Sequence, residues 1–463
     1  MQLTWWHYAG MLIALGLILG VGVYSLRRVQ SSEDFSVCSR EAGSILVAGT
    51  ILGTLIGGAS TVGTAQLAFM YGLSAWWFTL GGGLGCLIIA LFLAKPMRET
   101  SLETVPQFLA KGYGAAAGSI AALFLSLGMF INVVPQIFSS VALLHGWLPM
   151  DWRLAAVGTV ALMVAYVVFG GLWGTGLMGI SKVLLTGLGL LTAGGLAWYF
   201  MEGWEGLRAS FPPYPWFSLL GRGVNQDLAA ASAMLVGVFS SQIYFQAIFS
   251  GRDVRAARGG AFLSAVLSPL IGMGGILVGM YMRLGHPEIN PHQALPLFIL
   301  EYLPPWFAGV VFATLLLATV GTGAGLTLGI STMLSRDIYQ RIFPRTGDRA
   351  MLLVFRLTIS TVLLAGLIVV FISGGEAVIL EWSYLSQGLR GAAVCFPLLA
   401  CIFFRDRIAP RAGFWSVVLG PSAVLLVLAL PVELHPLYPG LAMSGALLLW
   451  GYLVNQAPGR GQG

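Results

Sequence analysis

Charge is what this chain has least of. Only 9% of its 463 residues are Asp, Glu, Lys or Arg, where soluble domains carry roughly 25%. That excludes a water-facing surface of ordinary size. Histidine is scarce too: the five are His7, His145, His286, His292 and His435, in expected outer loops or at span ends. No Ser/His/Asp, Cys/His or metal-spaced cluster forms, so enzyme activity is not expected. The four cysteines, Cys38, Cys86, Cys395 and Cys401, have no metal or redox spacing and receive no role. No basic run suggests nucleic acid. No interval between apolar runs is long enough for a separate soluble domain.

What is present is apolar length. Hydrophobic residues make up 57% of the chain and the mean hydropathy is +0.86. Runs of about 20 apolar residues, each able to cross a ~30 Å hydrocarbon core as a helix, recur throughout. They predict an all-α polytopic membrane protein in contact with lipid. Thirteen spans are expected, near 6–26, 43–70, 74–95, 114–143, 153–170, 174–201, 228–249, 258–282, 306–333, 350–373, 377–404, 411–430 and 437–454. The first lacks a charged n-region and an A-x-A-like cleavage site, which predicts a retained helix.

Basic residues set the orientation, because short cytoplasmic loops collect Lys and Arg. Alternate connections hold Arg27, Arg28, Arg40, Lys95, Arg98, Lys111, Arg252, Arg255, Arg258, Arg336, Arg341, Arg345, Arg349, Arg405, Arg407, Arg411 and Arg460. The opposite side holds only Arg153, Arg208, Arg222 and Arg283. The expectation is a plasma (inner) membrane protein with its N-terminus outside and its C-terminus cytoplasmic.

Two spans are interrupted by small and polar residues: "GTLIGGASTVGTAQ" at 53–66 and "SSQIYFQ" at 240–246. A broken helix exposes backbone polar groups, which lipid forbids unless they line a cavity or bind something. One such break opening each half of a chain points to an inverted-repeat transporter with its site between the halves. The expected units are 1–42, a leading helix and first cytoplasmic loop; 43–201 and 228–404, two five-helix repeats; and 405–463, two trailing helices and a short tail. Ordinary Gly-rich bundle packing is the alternative.

Several stretches, in order, then resemble the solute:sodium symporter family: "SSEDFSVCSREAG" (31–43), "FLAKPMRETSLETVPQFLAKGYG" (92–114), "GGLWG" (170–174), "FQAIFSGRDVRAARGGA" (245–261), "LSRDIYQR" (334–341) and "EWSYLSQGL" (381–389). "GTLIGG" and "FLAKPMR" are similar to the choline-transporter branch. The resemblance implies the LeuT-type fold, five plus five inverted helices with extra helices at both ends, and alternating access driven by sodium, the one coupling ion to be expected; no other cofactor is implied.

The resemblance also implies a sodium site. Its carbonyl ligands map onto Gly53, Ile56 and Ala318, and its hydroxyl pair, counted back from Asp337, onto Gly321 and Thr322. One hydroxyl is therefore missing, where a hard cation wants about five or six oxygens. Gly179 stands where members usually carry an Asp, and one turn on, where the choline branch has an amide, stands Lys182. The region has lost a ligand and a negative charge and gained an ammonium. Either Lys182 snorkels to the interface, or it replaces the ion, as basic groups do in amino-acid and carnitine transporters of the same fold; coupling would then be to protons, or the protein would exchange solutes.

Arg390 lies deeper than snorkelling can rescue, with ~18 Å of helix on either side at 1.5 Å per residue. Its fork suits carboxylates, which suggests an anionic solute, unless it merely bonds carbonyls of a broken helix. A choline cage of aromatic faces is absent: the matching positions are Leu55, Gly82, Ile131 and Ser241. Further candidates to line a cavity are Ser60, Thr61, Gln66, Asn132, Gln136, Ser240, Gln242, Tyr244 and Gln246, each of which can equally make an interhelical hydrogen bond. The expected function is import of a small, anionic organic solute. A membrane sensor is a lesser alternative; the tail "NQAPGRGQG" is too short for a signalling module, so it would need a separate partner chain.

Overall fold

The computed structural model describes residues 3–26, 32–148, 150–167, 171–374, 378–404, 407–431 and 434–456. Arg27, Arg28, Arg405 and Arg460 of the charge count lie outside these. Among the described residues ten helices are long and apolar enough to cross a membrane, and Trp5–Ile18, Ser44–Leu55 and Trp152–Val167 are shorter apolar helices.

The main helices are α1 (Trp5–Leu26), α2 (Ser44–Leu55), α3 (Thr64–Tyr71), α4 (Trp77–Ile88), α5 (Ala115–Trp147), α6 (Trp152–Val167), α7 (Gly171–Phe200), α8 (Val224–Val238), α9 (Gln242–Ser250), α10 (Val254–Gly285), α11 (Pro305–Met333), α12 (Asp348–Ile372), α13 (Ile379–Phe403), α14 (Pro410–Leu428) and α15 (Leu437–Gln456). The two interrupted stretches are real breaks. α2 stops where Ile56 turns extended, at φ −88° and ψ 92°, and the chain resumes through a widened turn at Ala59–Gly63 into α3. α8 stops at Val238, and Ser241, at φ −82° and ψ 127°, restarts the chain as α9.

The first break satisfies its backbone with local hydroxyls. Ser60 Oγ accepts from Gly57 N–H at 2.8 Å and Thr61 Oγ1 donates to Gly57 O at 2.8 Å. Gln136 Oε1, reaching in from α5, accepts from Gly58 N–H at 2.8 Å. Each unpaired amide would cost several kcal/mol in an apolar medium, so these side chains permit the break to exist there.

α2 packs on α7 along a seam of glycines. A Cβ on Gly53 would lie 2.9 Å from Gly179 Cα, and one on Gly179 would collide with Gly49 O. Small residues let membrane helices approach backbone to backbone. The seam explains why Gly179 cannot be the aspartate the family pattern leads one to expect, and it carries Lys182, less than one turn further on, up to the break. Gly179→Asp is accordingly predicted to cost more than ~3 kcal/mol by overpacking and an unpaired buried carboxylate, seen as lost monodisperse yield and a lowered Tm in detergent.

The end of the bundle reached by α9 is held by polar ties, next to a cavity of about 680 Å³ lined by Glu99, Thr100, Phe108 and Lys111. Gln242 accepts from Val105 N–H at 2.8 Å and donates to Glu103 O at 3.0 Å, and Gln246 donates to Ser36 O at 2.6 Å and Thr332 Oγ1 at 3.1 Å. Arg336 pairs with Glu103 at 3.1 Å. At the opposite end a cavity of about 320 Å³ opens between Arg222, Asn225, Glu381, Tyr384 and His435. Arg222 bridges Asp227 at 2.7 Å and Glu381 at 2.6 Å there. Burial, with the Arg222 charge adding to it, holds the pKa of the His435 imidazole below its ordinary value.

Candidate ion and substrate site

Lys182 is 1% exposed and does not snorkel. Its Nζ donates to Ala318 O at 3.0 Å and to Thr322 Oγ1 at 3.3 Å. The Thr322 hydroxyl in turn lies 3.3 Å from Gly53 O and 3.4 Å from Ile56 O, with one proton to offer them. Four of the five positions named from the sequence as sodium ligands thus converge, and the ammonium is in contact with two of them. A charge at the bilayer centre costs at least ~2.5–3.5 kcal/mol, and a hydrogen bond to a charged group contributes ~1.5–3 kcal/mol. Two such bonds offset a cost of that order and fix where the ammonium sits.

Gly321 is the fifth position, and its missing side chain has a geometric reason. A Cβ there would lie 3.0 Å from Lys182 Nζ and 2.9 Å from the Tyr166 hydroxyl. A side chain at 321 and the Lys182 ammonium would therefore contend for the same space. Tyr166 was not singled out in the sequence, where nothing distinguishes it from the apolar face of α6.

Arg390 is fully buried under the second break. Nε donates to Ser386 O at 3.2 Å, one terminal nitrogen to Ser241 Oγ at 2.6 Å and the other to Ser386 Oγ at 3.0 Å. Ser241 passes the bond on to Gly237 O at 2.6 Å. Gly128 makes the passage for the arginine stem, since a Cβ there would lie 2.6 Å from Arg390 Cγ. Among the described residues no acidic group pairs with Arg390.

The polar candidates divide. Tyr244 is 2% exposed and lies beside Arg390 and Gln387; Ser240 is buried at the same break with no partner for its hydroxyl. Asn132 accepts from Ser383 at 2.9 Å, joining α5 to α13. Gln136, Ser60 and Thr61 are occupied with the first break. Gln66 spans from His292 at 3.3 Å to Ile379 N–H at 3.4 Å, and Gln242 and Gln246 belong to the tied end. The structure therefore gives these last three tie-forming roles away from both breaks. Their polarity within interrupted spans could not reveal which neighbours, distant in sequence, take up their amides. Of the cage positions, Leu55 packs over Gly82, Ser241 holds Arg390, and Ile131 packs with Leu389, Ala392 and Val424.

A family model described as "Sodium:solute symporter family" matches residues 35–420. The chain belongs to this family. Within it, the chain is similar to the human sodium/myo-inositol cotransporter 2, at 22% identity over 87% of this chain and 66% of that protein, so it spans slightly less than two thirds of that relative. It is also similar to human high affinity choline transporter 1, at 25% identity over 84% and 71%, and to the sodium/glucose cotransporter of Vibrio parahaemolyticus, at 21% over 89% and 83%. The fold matches an outward-open, substrate-bound Na+-coupled sialic acid symporter with a TM-score of 0.82, covering 98% of this chain and 97% of that one at 18% identity. A nucleobase-cation-symport-1 family transporter matches with a TM-score of 0.55 at 15% identity. This symporter-family member is an integral membrane protein with the LeuT-type fold.

Because Gly321 and Lys182 compete for one space, Gly321→Ser in the wild-type background is predicted to destabilise by ~1–3 kcal/mol, and to be neutral or stabilising in Lys182→Ala. A double-mutant cycle on detergent-solubilised protein measures the coupling, expected to exceed ~1 kcal/mol for groups in contact.

Proposed function

We propose that this chain is a secondary transporter that moves a small anionic organic solute by alternating access, with Lys182 standing where the family binds a sodium ion. The observation that carries the reading is the ammonium 3.0 Å from Ala318 O and 3.3 Å from Thr322 Oγ1. Charged, Lys182 ties α7 to α11 at Ala318 and Thr322, the residue whose hydroxyl also meets the carbonyls of the first break, where a cation would sit. An amine, unlike a guanidinium, can give up its proton, and the tie then loosens without any ion leaving. Proton coupling or solute exchange follows from this chemistry.

Arg390 supplies the attraction for an anion. A guanidinium has five N–H donors, and its three recorded bonds leave one on each terminal nitrogen, a pair that suits a carboxylate. The distribution of basic residues supports a plasma (inner) membrane setting with the N-terminus outside, and the breaks at the start of 43–201 and of 228–404 support those stretches as the two inverted repeats. Sodium coupling is the second reading: Gly53 O, Ile56 O, Ala318 O and Thr322 Oγ1 still converge, and the relatives are named as sodium cotransporters.

Melting of the purified protein in matched sodium, potassium and N-methylglucamine chloride separates the two, because a ligand of the folded state alone raises stability by mass action. The wild type is expected to ignore sodium, and Lys182→Ala/Gly321→Ser to gain a sodium-specific rise in Tm. A sodium-specific rise in the wild type would overturn the lysine reading. In proteoliposomes, uptake is expected to follow an imposed pH gradient or internal solute and to persist without sodium; dependence on sodium would return the protein to the family default.

A further inference from the structure

The second break holds more polar capacity than Arg390 uses. Tyr384, Gln387 and Arg390 follow one another at three-residue spacing on α13, which places them on one face with about 4.5 Å of rise per step. Tyr384 forms part of the wall of the 320 Å³ outer cavity. Inward of it, the Gln387 carboxamide lies against Gly237 of the break and beside Tyr244. The Tyr384 hydroxyl, Gln387 Oε1 and Ser240 Oγ are all buried without a hydrogen-bond partner, and all three residues are no more than 2% exposed.

Buried polar atoms in native proteins are nearly always paired, and an exception calls for a reason. Two of these exceptions, Gln387 Oε1 and Ser240 Oγ, lie at one helix break near a guanidinium with two N–H groups to spare, and the third, the Tyr384 hydroxyl, lies one step outward on the same helix face beside the cavity, an arrangement unusual for packing and expected for a binding site. Gln387 Oε1 can only accept, so what it lacks is a donor. Ser240 and Tyr384 can accept or donate. A plain fatty acid or other unsubstituted carboxylate would satisfy Arg390 and leave all three unpaired.

We infer that Gln387, supported by Ser240 and Tyr384, is a specificity-determining residue that recognises an O–H or N–H group on the solute about one helical turn from its carboxylate, so that the substrate class is a hydroxy- or amino-carboxylate. The inference rests on the proposed reading of Arg390 as the carboxylate anchor. A site built around unpaired acceptors rejects an analogue lacking the donor far more strongly than an apolar pocket rejects a missing methylene.

The test is equilibrium binding to the purified full chain, by thermal shift and calorimetry, with matched pairs: lactate and serine against propionate, gluconate against hexanoate, and glucose as the neutral control. At least one substituted acid is expected to bind roughly 10- to 100-fold more tightly than its unsubstituted partner. Gln387→Met should shrink that ratio to within about 3-fold while carboxylate binding persists, and Arg390→Lys should weaken both members of a pair alike. Tyr384→Phe, which keeps the ring packed on Phe78, should lower the ratio less and stands in if Gln387→Met does not fold. A ratio unchanged in these variants, equal binding of hexanoate and gluconate in the wild type, or no binding by any acid overturns the inference. Glucose binding as tightly as gluconate, with Gln387→Met still sensitive, would instead remove the anionic anchor and leave Gln387 in its role.

Discussion

The architecture around both breaks depends on one constraint: a cation with no water around it must be surrounded by oxygens, and here helix carbonyls and Ser and Thr hydroxyls supply them. Lys182 meets it at the first break and Arg390 at the second. The glycine seam of α2 and α7, the hydroxyls of Ser60 and Thr61, and the reach of Gln136 across from α5 all serve to bring carbonyl and hydroxyl oxygens to places where a regular helix would have hidden them. Without the closeness of Gly49, Gly53 and Gly179, α7 and its ammonium would stand further from the first break.

The two cations are held differently, and the difference follows from their chemistry. Lys182 is fastened by two oxygens on α11, one of which also faces the carbonyls of the break, so it joins α7 to α11 beside the break. Arg390 is fastened mainly by its own helix and by the serine that restarts α9. Its charge is permanent, which suits attracting a partner, where a titratable amine suits a cycle.

Much of this was legible in the sequence. Apolar runs gave the helices, small and polar residues in mid-span gave both breaks, and motif order gave the positions that converge on Lys182. The choice between a snorkelling and an inward lysine was open, because it turned on Gly179 and Gly321, whose importance lies in the atoms facing them from other helices. Gln242 and Gln246 read as cavity residues since they follow the second break, yet they lie on the far side of it, where partners distant in sequence, Ser36 and Glu103, take up their amides. Gln387 went unremarked because an amide within an apolar run carries no sign of whether its neighbours satisfy it.

The shared space of residues 182 and 321 also bears on ancestry. With a hydroxyl already at 321, a lysine arriving at 182 is crowded by it; on the proposed reading, with the hydroxyl lost first, an ion would sit with an incomplete shell until the lysine appeared. Reversal meets the same obstacle from the other side. On the proposed reading a lineage crosses between the two arrangements through a weakened intermediate, so the coupling cation is expected to change rarely, in paired steps, and to mark whole branches of descent instead of scattered individuals.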